Sequence, residues 1–379
     1  MRSREQHMGL YVHIPFCVRK CSYCDFLSFP CGAQGQKRYA EALAGEMKYW
    51  KERIHHHNVD TVFIGGGTPS LLSVRDMDVV FQGITDCFFS PALSEFTVEC
   101  NPGTVTAEKL EAYRKAGVSR ISIGMQSASD EELRKLGRVH TLDEFMKCYS
   151  MVRDAGFDNV NIDVMSAIPG QTIQSYQDTL RRVVELEPEH ISSYSLIIEE
   201  GTPFYEQYAS QPPVDEETDR RMYERTGEIL GAAGYERYEI SNYARPGKEC
   251  LHNLKYWQRG EYLGIGLGAS SFMDHYRFRN EEELTEYQSR VFSGEDAVCE
   301  VDPLGDADER AEFMYLGLRC MEGISVSGFT LCFGEELMDC FGQEIAFAVE
   351  QGLLVYENDR IYLTKRGIDV SNRVFQLFI

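Results

Sequence analysis

Cys17, Cys21 and Cys24 stand in the run Tyr11-Val-His-Ile-Pro-Phe-Cys17-Val-Arg-Lys-Cys21-Ser-Tyr-Cys24-Asp-Phe26. Their spacing is C-x3-C-x2-C, with no fourth cysteine close behind. Three thiolates can hold three irons of a [4Fe–4S] cube and leave the fourth iron open to a substrate, whereas a closed electron-transfer cluster takes four. A structural zinc site also takes four ligands. It would need Cys31 or His13 here, and the triplet is not a pair of C-x-x-C knuckles. Inert buried thiols are the ordinary state of free cysteine. Three thiols so close together, on a loop with Arg19 and Lys20, fit that state poorly.

Such a loop needs a frame. Short β-branched and aromatic runs recur at Leu10 to Ile14, Thr61 to Ile64, Glu95 to Glu99, Arg120 to Gly124, Asn159 to Val164 and His190 to Ile198. Helical patterns lie between them, such as Ala107 to Ala116 stopped by Gly117, and Ser175 to Leu186 halted before Pro188. Strands alternating with helices predict a parallel sheet with right-handed crossovers, here an α/β, partial (β/α)6 TIM-like barrel. In such barrels chemistry gathers at the C-terminal ends of the strands. Cys17, Gly65-Gly66-Gly67-Thr68-Pro69, Glu99-Cys-Asn-Pro102, Gly124-Met-Gln126-Ser127 and Asp163 all fall there.

The expected division is a barrel over 1–240, a connecting segment over 241–300 and a small α+β, winged-helix-like domain over 301–379. Residues 296–308 read as an acidic loop. Gly352 to Gly367 reads as a hairpin turning at Glu-Asn-Asp-Arg. The triplet His55-His56-His57, far from the motifs, reads as solvated surface at a helix end.

Composition narrows the classes. A length of 379 residues suggests two or three domains. Twelve mostly scattered cysteines are not a secreted disulfide framework and point to a reducing cytoplasm. The first residues show no apolar signal region, and no run is long enough for a membrane anchor. A formal charge of −22 argues against a general nucleic-acid binder, which needs a basic face.

With its aromatic between the last two cysteines, the triplet resembles the signature of the radical S-adenosylmethionine (SAM) family. Tyr11 to Cys17, Gly65 to Pro69, Glu99 to Pro102, Gly124 to Ser127 and Leu136-Gly-Arg138-Val-His140 resemble the branch related to coproporphyrinogen dehydrogenase. The resemblance covers nearly the whole chain. It implies a [4Fe–4S] cluster on Cys17, Cys21 and Cys24, with SAM chelating the open iron and its sulfonium C–S bond open to reductive cleavage. It implies SAM contacts from Tyr11, Gly66, Gly67, Thr68, Glu99, Gln126, Arg138 and Asp163. The chemistry suits: carboxylates for hydroxyls or an amine, a guanidinium for a carboxylate.

Within that branch two relatives divide. The decarboxylating dehydrogenase has a further cysteine where this chain has Phe26, and a long N-terminal extension before its cluster loop. This chain instead has Cys250-Leu-His252-Asn253-Leu-Lys-Tyr256-Trp257, which resembles the His-Asn-x-x-Tyr-Trp run of HemW-type heme chaperones. The resemblance implies heme held by His252 as iron ligand, with Asn253, Tyr256 and Trp257 beside it. A neutral imidazole is a usual heme ligand, and aromatic rings offer flat apolar faces. Cys250 is a second candidate ligand, and core packing is the plain alternative for the run. Ser270 follows in a glycine-rich stretch where many relatives carry histidine.

The expected function is a chaperone passing heme to acceptor hemoproteins such as respiratory cytochromes, with transient membrane contact and a homodimer left open. The main alternative is oxygen-independent coproporphyrinogen III dehydrogenase. A heme-degrading radical SAM methyltransferase and a zinc-stabilised barrel complete the alternatives.

Overall fold

The computed structural model describes residues 6–54 and 57–379. Six parallel strands lie side by side in chain order: β1 (Gln6–Ile14), β2 (His57–Gly66), β3 (Glu95–Cys100), β4 (Arg120–Gln126), β5 (Val160–Ser166) and β6 (His190–Ser195). Every position of β4 is buried, as expected for a strand covered on both faces. The crossover helices begin where the sequence offers caps. Ser73, Thr106 and Thr172 each accept a first-turn backbone N–H, and Thr141 closes a capping box with Glu144. These caps stop the loops short and fix what the strand ends present.

The sheet does not close by pairing β1 with β6. Tyr262–Ile265 adds to β1 in parallel, followed by antiparallel strands Ser270–Met273, Tyr276–Asn280 and Val298–Pro303. Beyond β6, Asn242–Ala244 adds in antiparallel fashion and Glu236–Arg237 pairs outside it. The acidic stretch read as a loop therefore contains an edge strand. Val298 and Val301 supply its β-character, while exposed Glu300 and Asp302 discourage further pairing.

A seven-residue helix, Leu251–Trp257, plugs the partial barrel toward the N-terminal ends of β2 and β3. Glu95, the first residue of β3, accepts from Leu251 N at 2.9 Å, His252 N at 3.2 Å and Cys250 Sγ at 3.3 Å. One carboxylate thus takes two of the free backbone donors of the helix start. Lys255 Nζ reaches Asp60 at 3.0 Å. A side chain at Gly9 of β1 would crowd the plug: its Cβ would lie 3.1 Å from both His252 Cε1 and Lys255 Cδ.

The C-terminal unit has its own core, including Met314, Phe329, Leu337, Ile361 and Phe378. Its three-stranded sheet contains the expected hairpin, Leu354–Glu357 with Arg360–Leu363. The turn residues Asn358 and Asp359 have φ of 49° and 68°, the pairing that suits a tight right-twisted hairpin.

The surface reading of the histidine triplet fails at His57. This residue opens β2, and its mostly buried ring places Nε2 3.1 Å from Glu261. His55 and His56 lie outside the described residues. No helix among the described residues is long and apolar enough to cross a membrane.

Candidate cluster and cofactor site

A cavity of about 530 Å³ opens at the C-terminal ends of the strands. Cys17, Cys21 and Cys24 line it together with Gly66, Gly67, Thr68, Glu99, Gln126, Arg138 and Asp163. The cysteine loop is pinned from several sides. Cys17 N donates to Phe29 O at 3.1 Å, Ser22 N to Leu136 O at 3.0 Å, and the Arg19 guanidinium to Gly137 O at 2.7 Å. All three cysteines are free thiols and partly exposed. Burial pushes the Cys24 thiol up.

Neither residue named for the zinc alternative is placed to be its fourth ligand. His13 has one ring nitrogen 2.9 Å from Tyr11 OH and the other 2.9 Å from Leu27 O. Cys31 is not on the cavity wall, and its thiol turns to Gly32 O. Three thiols to which neither His13 nor Cys31 adds a free fourth donor fit a cube with one open iron.

The glycine turn approaches the thiols at a distance only glycine permits. Gly66 has φ 113°, and a Cβ at Gly67 would lie 2.8 Å from Phe16 O and 3.1 Å from Cys17 Sγ. Gly66 N donates to Glu99 Oε2 at 3.1 Å. Burial, then the neighbouring Asp163, pushes the Glu99 carboxyl up to about 8. Asp163 is also raised by burial, although it accepts from Asn161 Nδ2 at 2.7 Å. Two adjacent carboxyls held this way suit a cationic ligand group, which would restore their ionisation.

Across the cavity Arg138 donates to Asn101 Oδ1 at 2.7 Å and Gly124 O at 3.0 Å. Its Nε is buried with no partner among the described residues, so it retains donor capacity for a carboxylate. The donor set therefore fits a ligand with one cationic and one anionic end.

Gln126, in left-handed backbone with φ 66°, accepts from Tyr194 OH at 2.9 Å. Tyr194, Ser192 and Asn101 also line the cavity, and sequence reasoning assigned them no role. Their signal was position alone, at the ends of β6 and β3. Tyr11 is not among the lining residues: its hydroxyl lies 2.9 Å from His13 Nδ1 and its ring 6.3 Å from Phe63.

The His-Asn-x-x-Tyr-Trp run is divided among different surroundings. Asn253 lines the thiol cavity. His252 is 1% exposed, with Nδ1 2.9 Å from Thr61 Oγ1 and Nε2 2.8 Å from Tyr256 OH. Its ring stacks on Phe63, and burial, then Lys255 and Arg120, lowers it to about 3, so the imidazole is neutral. Cys250 is fully buried against Glu95. Trp257 faces a second cavity, beside the C-terminal unit.

Comparison with known proteins agrees with this layout. Residues 11–183 match the model of the radical SAM superfamily, and residues 305–370 match the HemN C-terminal domain. The chain is 34% identical to heme chaperone HemW of Lactococcus lactis, covering 97% of this chain and 96% of that protein. It is 35% identical to heme chaperone HemW of Escherichia coli, covering 98% of each. The fold is similar to that of coproporphyrinogen III oxidase (HemN) from Escherichia coli, with TM-score 0.86 and 23% identity over 99% of this chain and 90% of that one. On these matches the chain belongs to the HemW family of radical SAM proteins.

Proposed function

We propose that this chain is a heme chaperone that accepts heme and passes it to acceptor hemoproteins, respiratory cytochromes among them. The observation that supports it most is similarity along almost the entire chain to relatives named as heme chaperones. The cluster loop adds to it. Phe26, where the dehydrogenase has a further cysteine, is 63% exposed at the mouth of the thiol cavity.

In this reading Cys17, Cys21 and Cys24 hold a [4Fe–4S] cluster and the cavity takes SAM. Such a cluster supplies, when reduced, the electron that can open the sulfonium of SAM. Arg138 binds the carboxylate of the ligand, and Glu99 and Asp163 face its cationic part. Gly66 and Gly67 give the ligand backbone to lie against. Asn253, on the plug helix, reaches the same cavity, so the heme-type run and the cofactor site share one element. For His252 to ligate iron, the plug must withdraw and give up its bonds to Thr61 and Tyr256.

The test is transfer under anaerobic conditions. Heme-loaded protein is mixed with an apo-cytochrome, and coproporphyrinogen III is incubated with the same preparation. Heme should move to the acceptor while coproporphyrinogen III persists. Consumption of coproporphyrinogen III without heme binding would replace this reading with the dehydrogenase, whose fold the chain shares.

A further inference from the structure

Three donor side chains from separate parts of the chain meet at the N-terminal edge of the parallel sheet, at the end opposite the thiols. His57 opens β2, Glu261 stands just before the added strand Tyr262–Ile265, and Asp274 begins the turn between Ser270–Met273 and Tyr276–Asn280. One ligand-type atom from each lies within 4.8 Å of the other two. None of the three lines the cofactor cavity.

Strand pairing puts them there. Gln6 of β1 lies opposite His57, and Gly9 N donates to Glu261 O at 2.9 Å. Asp274 and His275 hold left-handed backbone, with φ of 49° and 68°, which suits a tight hairpin turn. That turn rests on Glu261, whose Oε1 accepts from Asp274 N at 2.9 Å. Glu261 Oε2 lies 3.1 Å from His57 Nε2.

Charge and burial then point to a cation. The side chains of His57 and Glu261 are 8% and 20% exposed. Among the described residues no lysine or arginine pairs with Glu261 or Asp274, so two neighbouring carboxylates share one imidazole. The His57 ring also has a buried Nδ1 with no partner among the described residues. Sheltered carboxylates without a cation are costly, and a divalent ion supplies the missing charge. The 3.1 Å from Nε2 to Oε2 is close to the ~3 Å edge of an octahedron with metal bonds of ~2.1 Å. Asp274, exposed on its turn, is free to offer a third ligand, with water at the remaining positions. Carboxylates and water suit manganese, calcium and magnesium, and the imidazole selects manganese among them.

We infer that this edge of the sheet binds Mn²⁺ through His57 Nε2, Glu261 and Asp274. The ion ties together β2, the strand added to β1 and the hairpin turn beyond it. It sits near the foot of the plug, since Trp257 ends that helix shortly before Glu261 and Lys255 pairs with Asp60 of β2. Binding stiffens residues 258–262, which lead the chain out of the plug. The site stands apart from the heme reading and from the cofactor cavity.

The test is an Mn²⁺ titration of the full, cluster-reconstituted protein with its cluster left oxidised, followed by loss of the free-ion EPR signal. Wild type should bind one equivalent saturably, ahead of weaker general attraction to an acidic chain. Asp274→Asn, at the exposed turn, and Glu261→Gln should each weaken that equivalent by about tenfold or more. Glu300→Gln removes an exposed carboxylate of the edge strand Val298–Pro303 and should leave it unchanged. Mn²⁺ should slow hydrogen exchange in residues 258–262 of wild type and not of Asp274→Asn. SAM affinity should be the same in Asp274→Asn and wild type, which shows an intact fold. Absence of saturable binding by wild type would overturn the inference. So would wild-type affinity in both Asp274→Asn and Glu261→Gln, or an equal loss in Glu300→Gln.

Discussion

Glu99 and His252 are buried titratable groups with opposite pH signatures. Glu99 is raised to about 8 by burial and Asp163. A raised carboxyl favours the fold fully below its unfolded value, and that contribution is lost as pH rises through 8. Glu99→Gln should therefore stabilise the ligand-free chain at pH 8.5 by at least ~1 kcal/mol, with little gain at pH 4.5. SAM affinity should fall about tenfold, the equivalent of one charge-assisted contact. Calorimetry at the two pH values and a SAM titration check both parts. His252 is lowered to about 3. A lowered histidine supports the fold above its unfolded value of 6.5, and the support fades as pH falls below it. The stability advantage of wild type over His252→Gln should then shrink by ~1 kcal/mol between pH 7.5 and 5.5. A constant gap in denaturant melts would contradict the buried neutral imidazole.

At the scale of elements, the plug helix joins the barrel interior to both cavities. Its seat depends on the missing side chain at Gly9. Gly9→Val should cost about 1–3 kcal/mol by overpacking. It should also raise hydrogen exchange in Leu251–Trp257 more than in β4. Equal protection in the two elements would show that the plug is not seated there. The six parallel strands were legible because each carries a β-branched or aromatic run followed by a helix, most of those helices starting at a side-chain cap. The plug was not. Seven residues are too few to show a period, and its partners Thr61 and Glu95 are 191 and 157 positions from His252. The thiols, glycines and Arg138 could be placed at one rim from strand ends alone. Tyr194 could not, because nothing local marks its hydroxyl as aimed at Gln126. The flanking strands after residue 236 were also missed, being short and, at Val298–Pro303, masked by acidic residues at an exposed edge.

At the scale of the molecule, two hydrophobic cores meet across a polar joint. Glu312, 5% exposed, receives Arg259 at 3.2 Å and Arg277 at 2.7 Å. Removing it leaves Arg277 without its carboxylate and Arg259 with Glu309 alone, at 3.4 Å, so Glu312→Ala should cost about 3 kcal/mol. Calorimetry should show the C-terminal unit melting ahead of the barrel, and an unchanged single transition would count against a joint held by this cluster. The second cavity exists only through that joint, which no sequence motif announces. The hairpin of the C-terminal unit was readable from its turn, but the seating of Arg319 and Met321 against Trp257 and Tyr238 was not.

The most direct measurement is a heme titration of anaerobically reconstituted wild-type protein, with coproporphyrinogen III supplied in parallel. The account predicts saturable, stoichiometric heme binding and unaltered coproporphyrinogen III. Decarboxylated porphyrinogen formed by a protein that binds no heme would contradict it.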